Sequence, residues 1–170
     1  MPANAAVAMN PKLEYRVCDF KGEKIVVAND LVASLSETLE DTLTALGEGP
    51  FLGAEMEGLT YQHPTIKDRV NPVIVGGDYI TTDAGTGCVH TAPGHGEDDF
   101  IVGKQYGLEV DSPVQDNGLF REDLPVVGGL HVSKANQPVI DALKEGGTLV
   151  ALETITHSYP HCWRHKTPVI

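Results

Sequence analysis

Cysteine, long apolar runs and positive charge are all scarce in this sequence. Its three cysteines, Cys18, Cys88 and Cys162, lie far apart with no Cys-x-x-Cys spacing, which argues against a disulfide framework and suits a reducing compartment. No stretch approaches the roughly 18 apolar residues of a membrane span, and Met1-Pro2-Ala3-Asn4 lacks the basic-then-apolar pattern of a secretory signal. A soluble, cytoplasmic protein with no membrane partner is expected. Lys and Arg number 12 against 24 Asp and Glu, for a formal net charge of −12. Such a surface repels phosphate, so any nucleic-acid contact should be small and local. Internal repeats and low-complexity tracts are absent too, and 170 residues at 41% hydrophobic content suffice for one well-buried domain.

What is present reads as mixed α/β. Short apolar runs at Ala5 to Ala8, Tyr15 to Phe20 and Lys24 to Val27, separated by Asn-Pro and Lys-Gly turns, predict strands with an antiparallel pair among them. Asn29 and Asp30 offer helix caps, and Leu31, Leu35, Leu39, Leu43 and Leu46 recur at helical spacing up to Gly47, predicting one long helix. Further strands are expected at Phe51-Leu52, Leu59 to Tyr61, Val73 to Val75 and Tyr79 to Thr82. The acids Glu97, Asp98 and Asp99 suit the positive start of a helix that Gly107 would stop. Strands near Pro113-Val114, Leu119-Phe120 and Leu130 to Val132 should follow, then a helix that Pro138 makes start at Asn136 and end at Gly146-Gly147. Thr148 to Thr156 alternates like a strand. The pattern predicts a compact, barrel-like mixed sheet with peripheral helices.

The stretch from Gly85 to Asp99 holds the candidate chemistry. Glycines let a ligand approach the backbone, His90 supplies an imidazole, and carboxylates gather at a helix start. The plain alternative is that the glycines serve turns, His90 has a satisfied partner and the acids cap a helix; pattern alone favours it. His90, His95 and the three acids could offer metal ligands, but their spacing matches no zinc motif. The second cluster, His157, His161, Cys162 and His165, contains a Cys-x-x-His pair with no other pair to complete a zinc site. No metal site is expected.

Gly85-Thr86-Gly87-Cys88-Val89-His90-Thr91-Ala92-Pro93-Gly94-His95-Gly96-Glu97-Asp98-Asp99 resembles the central motif of the inserted editing domain of isoleucyl-tRNA synthetases, class I enzymes. Pro2 to Val7, Tyr106-Gly107-Leu108, Lys134-Ala135-Asn136 and His157 to Pro168 extend the resemblance in order. Valyl and leucyl editing domains are similar around Gly85 to Gly87 and Asp99 but typically carry lysine or methionine where His90 stands. The tail of this chain leans toward bacterial or organellar forms. The resemblance implies an editing domain over residues 1–156 and, over 157–170, the start of the return into the synthetase's catalytic domain.

It also implies an activity: hydrolysis of the ester of valyl-tRNA(Ile), since the aminoacylation site cannot exclude valine when one methylene is worth only about 1 to 3 kcal/mol, a limit for which this family is itself the usual example. Asp99 would bind the α-ammonium group and His90 would shape the pocket that admits valine and obstructs isoleucine. Gly85, Thr86 and Gly87 would approach the terminal adenosine, with Asn4, Val89 and Thr91 beside the pocket. A positioned water, helped by the free ribose hydroxyl, would attack, with no protein nucleophile. No cofactor is implied here, whereas ATP and magnesium belong to the parent enzyme. The implied partners are the aminoacyl-adenosine end of tRNA(Ile) and the rest of the synthetase.

The chain departs from the family at one place. A threonine-rich strand usually stands before Pro-Ala-Asn, and Met1 falls where the family has leucine. The expectation is weak or absent activity for this piece alone, or a silent module that only binds the aminoacyl-adenosine end. A metal-dependent hydrolase using His90, His95 and Asp98 is the third and least favoured reading.

Overall fold

The computed structural model describes residues 1–154, 156 and 158–169, which fall into two compact units, Met1–Pro113 and Val114–Ile170. Composition gives no hint of that division, because both parts mix strand, turn and helix signals. The boundary expected between 156 and 157 touches His157, outside the described residues. Among the described residues no helix is long and apolar enough to cross a membrane.

In chain order the first unit contains β1 (Ala6–Met9), β2 (Glu14–Phe20), β3 (Glu23–Ala28), α1 (Val32–Thr38), β4 (Thr44–Leu52), β5 (Thr60–Gln62), β6 (Val70–Val75), β7 (Cys88–Thr91) and α2 (Glu97–Gln105). Its strands make two sheets, a four-stranded one in the order β5-β6-β1-β7 and a three-stranded one in the order β3-β2-β4. The expected mixed α/β class is thus present, as two sheets with few helices.

Strand β1 lies between β6, which runs parallel with Val7 opposite Val73, and β7, which runs antiparallel with Val7 opposite His90. A central strand covered on both faces needs no alternation, which is why Ala6, Ala8 and Met9 are all buried. The parallel pairing requires a long crossover, and everything from β2 to β5 supplies it. Strands β2 and β3 form the expected hairpin: Phe20 pairs with Glu23 around Lys21 and Gly22. Both turn residues have positive φ, 54° and 87°, matching the twist of a two-residue hairpin turn.

The first helix is much shorter than its leucine spacing suggests. It ends at Thr38, Glu40 adopts a φ of 51°, and Leu46 lies in β4 opposite Val17. Leu43 is still buried with Leu31 and Leu35, so one core accepts the leucines whether helix or strand presents them. Asn29 does not cap this helix: its Oδ1 takes the Nε–H of Arg16 instead. Gly47 is not a stop but part of a bulge, since residues 47–50 intervene between the Leu46–Val17 and Phe51–Tyr15 pairs.

Tyr79 to Thr82 is not a strand. Ile80 donates its N–H to Gly77 in a turn and yields its carbonyl to the Asn10 side chain at 2.9 Å, burying its side chain without a ladder.

In the second unit, α3 (Asn136–Glu145) starts where Pro138 places it. Its end and that of α2 share one device: the N–H of Leu108 reaches the carbonyl of Gly103 at 2.8 Å, and that of Thr148 reaches Leu143 at 2.9 Å, each past a glycine of positive φ. The strands expected near 114, 120 and 131 reduce to single bridges, Val114 with Phe120 and Leu119 with His131. Residues 148–154 carry no strand, and Val150 and Leu152 are exposed. Alternation without a neighbouring strand has no ladder to join. The last part of that expected strand includes Ile155, outside the described residues.

Candidate functional site

Strand β7, the loop before it and the start of α2 carry most of the expected residues in the first unit. Side chains alternate along β7, so Cys88 and His90 share one face while Val89 and Thr91 share the other. Cys88 accordingly packs on the core of Tyr15 and Met9, and Val89 on that of Ala6, Ala8, Ile74 and Val102. Burial pushes the Cys88 thiol up to about 11, which suits an inert packing residue.

Asn4 is buried and sits against His90, with its Nδ2 2.7 Å from Nδ1 of the imidazole. The same Nδ2 donates to the carbonyl of Ala6 at 2.9 Å, and Oδ1 accepts from Asn71 at 3.0 Å and from the Tyr61 hydroxyl. His90 as a whole is exposed, yet its inner edge is enclosed by this cluster. Dehydration, reinforced by the amino-terminal charge and opposed by Asp99, pushes the imidazole down to about 4. At neutral pH His90 is therefore uncharged.

Asp99 occupies the first turn of α2, and its Oδ2 accepts the N–H of Ala92 at 2.8 Å. That bond ties the helix start back to the residue after β7. A Cβ on Gly96 would come within 3.3 Å of the Asp99 carboxylate, so the approach to this acid is tight. Nearby, the Tyr79 hydroxyl is buried; burial, then the charges of Asp99 and Asp98, raise its pKa against a smaller opposing effect of the Thr91 side chain.

The Gly85-Thr86-Gly87 loop is held by the other sheet. Thr86 accepts the N–H of Ala28 at 2.8 Å on its carbonyl and that of Cys88 at 3.2 Å on Oγ1. The carbonyl of Gly87 accepts from Tyr15 at 2.8 Å. Gly87 has a structural reason to be glycine: its φ is 75°, and a Cβ there would lie 2.6 Å from that of Ala28. Gly85, with φ 77°, faces open space.

Tyr61, His63, Arg69 and Asn71 were not singled out by the sequence. Isolated polar residues in β5, β6 and the loop between them carry no spacing signal. Yet His63 is buried, with Nδ1 accepting from Thr65 at 3.2 Å and Ile66 at 3.0 Å, and burial lowers its pKa as well.

Among the described residues no three His, Cys, Asp or Glu side chains are placed to hold a metal. His95 and Asp98 are exposed. In the tail, Cys162 Sγ lies 3.6 Å from Nδ1 of His165, while His161 Nδ1 approaches the Tyr159 carbonyl at 2.8 Å; His157 lies outside the described residues. The second unit also holds a cavity of about 730 Å³ lined by His131, Val132, Ser133, Tyr159, Thr167 and Pro168. None of the residues expected to carry chemistry lines it.

A scan against protein-family models finds no match. Whole-sequence comparison finds relatives over the full chain: an isoleucine-tRNA ligase of Alcanivorax borkumensis at 58% identity, one of Idiomarina loihiensis at 49% and one of Bacillus cereus at 49%. The chain spans 18% of the length of each. Among solved structures, that of GlLeuRS-CP1 superposes with a TM-score of 0.65 at 16% identity, covering 94% of this chain and 81% of the other. At that identity the likeness establishes the fold alone.

Proposed function

Because this chain belongs with one segment of the isoleucine-tRNA ligases, to which it is related from end to end, we propose that it edits, hydrolysing the aminoacyl ester of valyl-tRNA(Ile) within such an enzyme. The observation that supports this reading most directly is a carboxylate, Asp99, fixed at a helix start within electrostatic reach of an uncharged imidazole, His90.

The Asp99 carboxylate, held by the Ala92 N–H and favoured by the helix N-terminus, binds the α-ammonium group of the misacylated amino acid. His90 borders the side-chain pocket, with its inner edge fixed by Asn4, and obstructs the extra methylene of isoleucine. The Gly85 and Thr86 backbone approaches the terminal adenosine, while Gly87 and Thr91 are buried and Val89 packs on the core, so these three support the site from behind. A water adds to the ester carbonyl carbon, the bond to the ribose oxygen breaks, and valine and a free ribose hydroxyl are released. Positioning supplies the rate enhancement, with no covalent intermediate on the protein. ATP and magnesium serve the rest of the ligase in the cytoplasm, and that remainder makes most contacts with the tRNA backbone, as the acidity of this segment requires.

The test is single-turnover hydrolysis of valyl-tRNA(Ile) and isoleucyl-tRNA(Ile) by the full-length ligase carrying this segment, with and without Asp99→Ala. Valine-selective hydrolysis that disappears in the variant supports the reading. Equal hydrolysis of both esters, or an unaffected variant, defeats it.

A further inference from the structure

We propose that Asn71 is a positioning residue for His90, acting through Asn4, and that together they hold the imidazole as the Nε2–H tautomer, so that it meets its ligand as a neutral hydrogen-bond donor. The role of that donor rests on the editing reading; the tautomer itself does not.

One chain of hydrogen bonds sets the tautomer. Nε of Arg69 lies 3.2 Å from Oδ1 of Asn71, and an arginine nitrogen can only donate, so that atom is the acceptor oxygen. The other end of the Asn71 amide is therefore its NH₂. It sits 3.1 Å from the carbonyl of Asn4 and 3.0 Å from the Asn4 side chain, which must turn its oxygen there. The Tyr61 hydroxyl then donates to the same oxygen. The NH₂ of Asn4 is left facing two atoms, the Ala6 carbonyl and Nδ1 of His90. Both its hydrogens are committed, so Nδ1 has to be an acceptor without a proton. A neutral imidazole with a bare Nδ1 carries its proton on Nε2.

Each orientation in this relay is set twice. Flipping the Asn4 amide would place its oxygen against the Ala6 carbonyl and its NH₂ against that of Asn71, leaving clashes of like groups in a buried site. The arrangement also discriminates by charge state. A proton added at Nδ1 would face the Asn4 NH₂, so the cationic form is opposed by geometry as well as by dehydration.

Nitrogen-15 labelling of the histidines in the whole 170-residue chain, read by long-range proton–nitrogen correlation, assigns each ring proton directly. The expected spectrum has His90 with a protonated Nε2 and a bare Nδ1 at neutral pH; a protonated Nδ1 overturns the proposal. Two substitutions separate the parts, and dispersed backbone amide signals report that each still folds. Asn4→Asp presents a carboxylate to Nδ1 and should move its proton there, raising the titration midpoint of His90 by at least about one unit. An unmoved midpoint would count against control by Asn4. Asn71→Asp removes one of the two donors that orient Asn4 and should yield a measurable Nδ1–H population, whereas a pure Nε2–H spectrum would show that Ala6 and Tyr61 suffice and overturn the positioning role of Asn71. Asp99, His63, His95 and the amino terminus act on His90 in all of these proteins, so differences isolate the relay. No tRNA is present, so a failure here is distinct from a failure of valyl-tRNA hydrolysis.

Discussion

Oδ2 of Asp99 accepts the backbone N–H of Ala92 at 2.8 Å, joining the first turn of α2 to the residue that follows β7. One carboxylate oxygen is thereby spent on the protein's own backbone, and in the proposed reading the other meets the substrate's ammonium group.

That division of labour separates stability from activity. Asp99→Asn keeps an oxygen for the Ala92 N–H but loses the charge, so it should cost little stability, under about 1 kcal/mol, while weakening an ammonium contact by about 1.5 to 3 kcal/mol. In kcat/KM for valyl-tRNA(Ile) that is a fall of roughly ten- to a hundredfold. Asp99→Ala should match or exceed that fall and also lower the denaturation midpoint, because the Ala92 N–H loses its acceptor. Equal activity of Asp99→Asn and the unmodified ligase would rule out an ammonium-binding role.

Acid should destabilise the first unit through its histidines. The folded-state pKa of His90 is pushed down to about 4 from the ordinary 6.5, and that of His63 is lowered too. A neutral histidine preferred by the fold contributes stability that is complete above about 6.5 and is lost as pH falls through the folded value. The melting temperature should therefore drop between pH 6.5 and 4, and less steeply in His63→Gln. For that variant at neutral pH, two backbone N–H groups lose the Nδ1 acceptor, at a cost of about 1 to 3 kcal/mol. A flat melting temperature across that window would refute the assignment of both histidines as groups the fold keeps neutral.

The sequence disclosed the β7–α2 segment because its signals are local: glycines at a turn, acids at a helix start, a terminating Gly107. It did not disclose the residues that hold Asn4 against His90. Asn71 and Tyr61 reach Asn4 only because β6 pairs with β1 on one side and with β5 on the other, and long-range pairing leaves no mark on spacing. The overlong first helix fails for a related reason. Leu43 satisfies the helical period, but it also fits the same core from the entry to β4, and periodicity cannot tell the two apart.

The two glycines flanking Thr86 make a paired test of crowding against backbone conformation. Both have positive φ, so Ala at either position incurs strain of about 1 to 2 kcal/mol. Only at position 87 does the new methyl also strike a neighbour, at 2.6 Å from the Ala28 Cβ, adding about 1 to 3 kcal/mol of overpacking. Chemical denaturation should show Gly87→Ala as clearly the less stable. Equal losses would mean that conformation alone dictates glycine at both sites.

Tyr15 connects β2 to the loop that leads into β7. Its buried hydroxyl accepts the Asn10 N–H at 3.1 Å and donates to the Gly87 carbonyl at 2.8 Å. Tyr15→Phe preserves the ring packing against Phe51 but strands both backbone groups in the interior, for a loss of about 1 to 3 kcal/mol. The loss should be local before it is global. Ala28 donates to Thr86 across the same junction, whereas Ala5 donates to Thr91 just ahead of the β1–β7 ladder. Hydrogen exchange in Tyr15→Phe should therefore accelerate at Ala28 well beyond the change at Ala5. Uniform acceleration at both amides would show that the hydroxyl supports the whole unit, and that the loop has no separate anchor on β2.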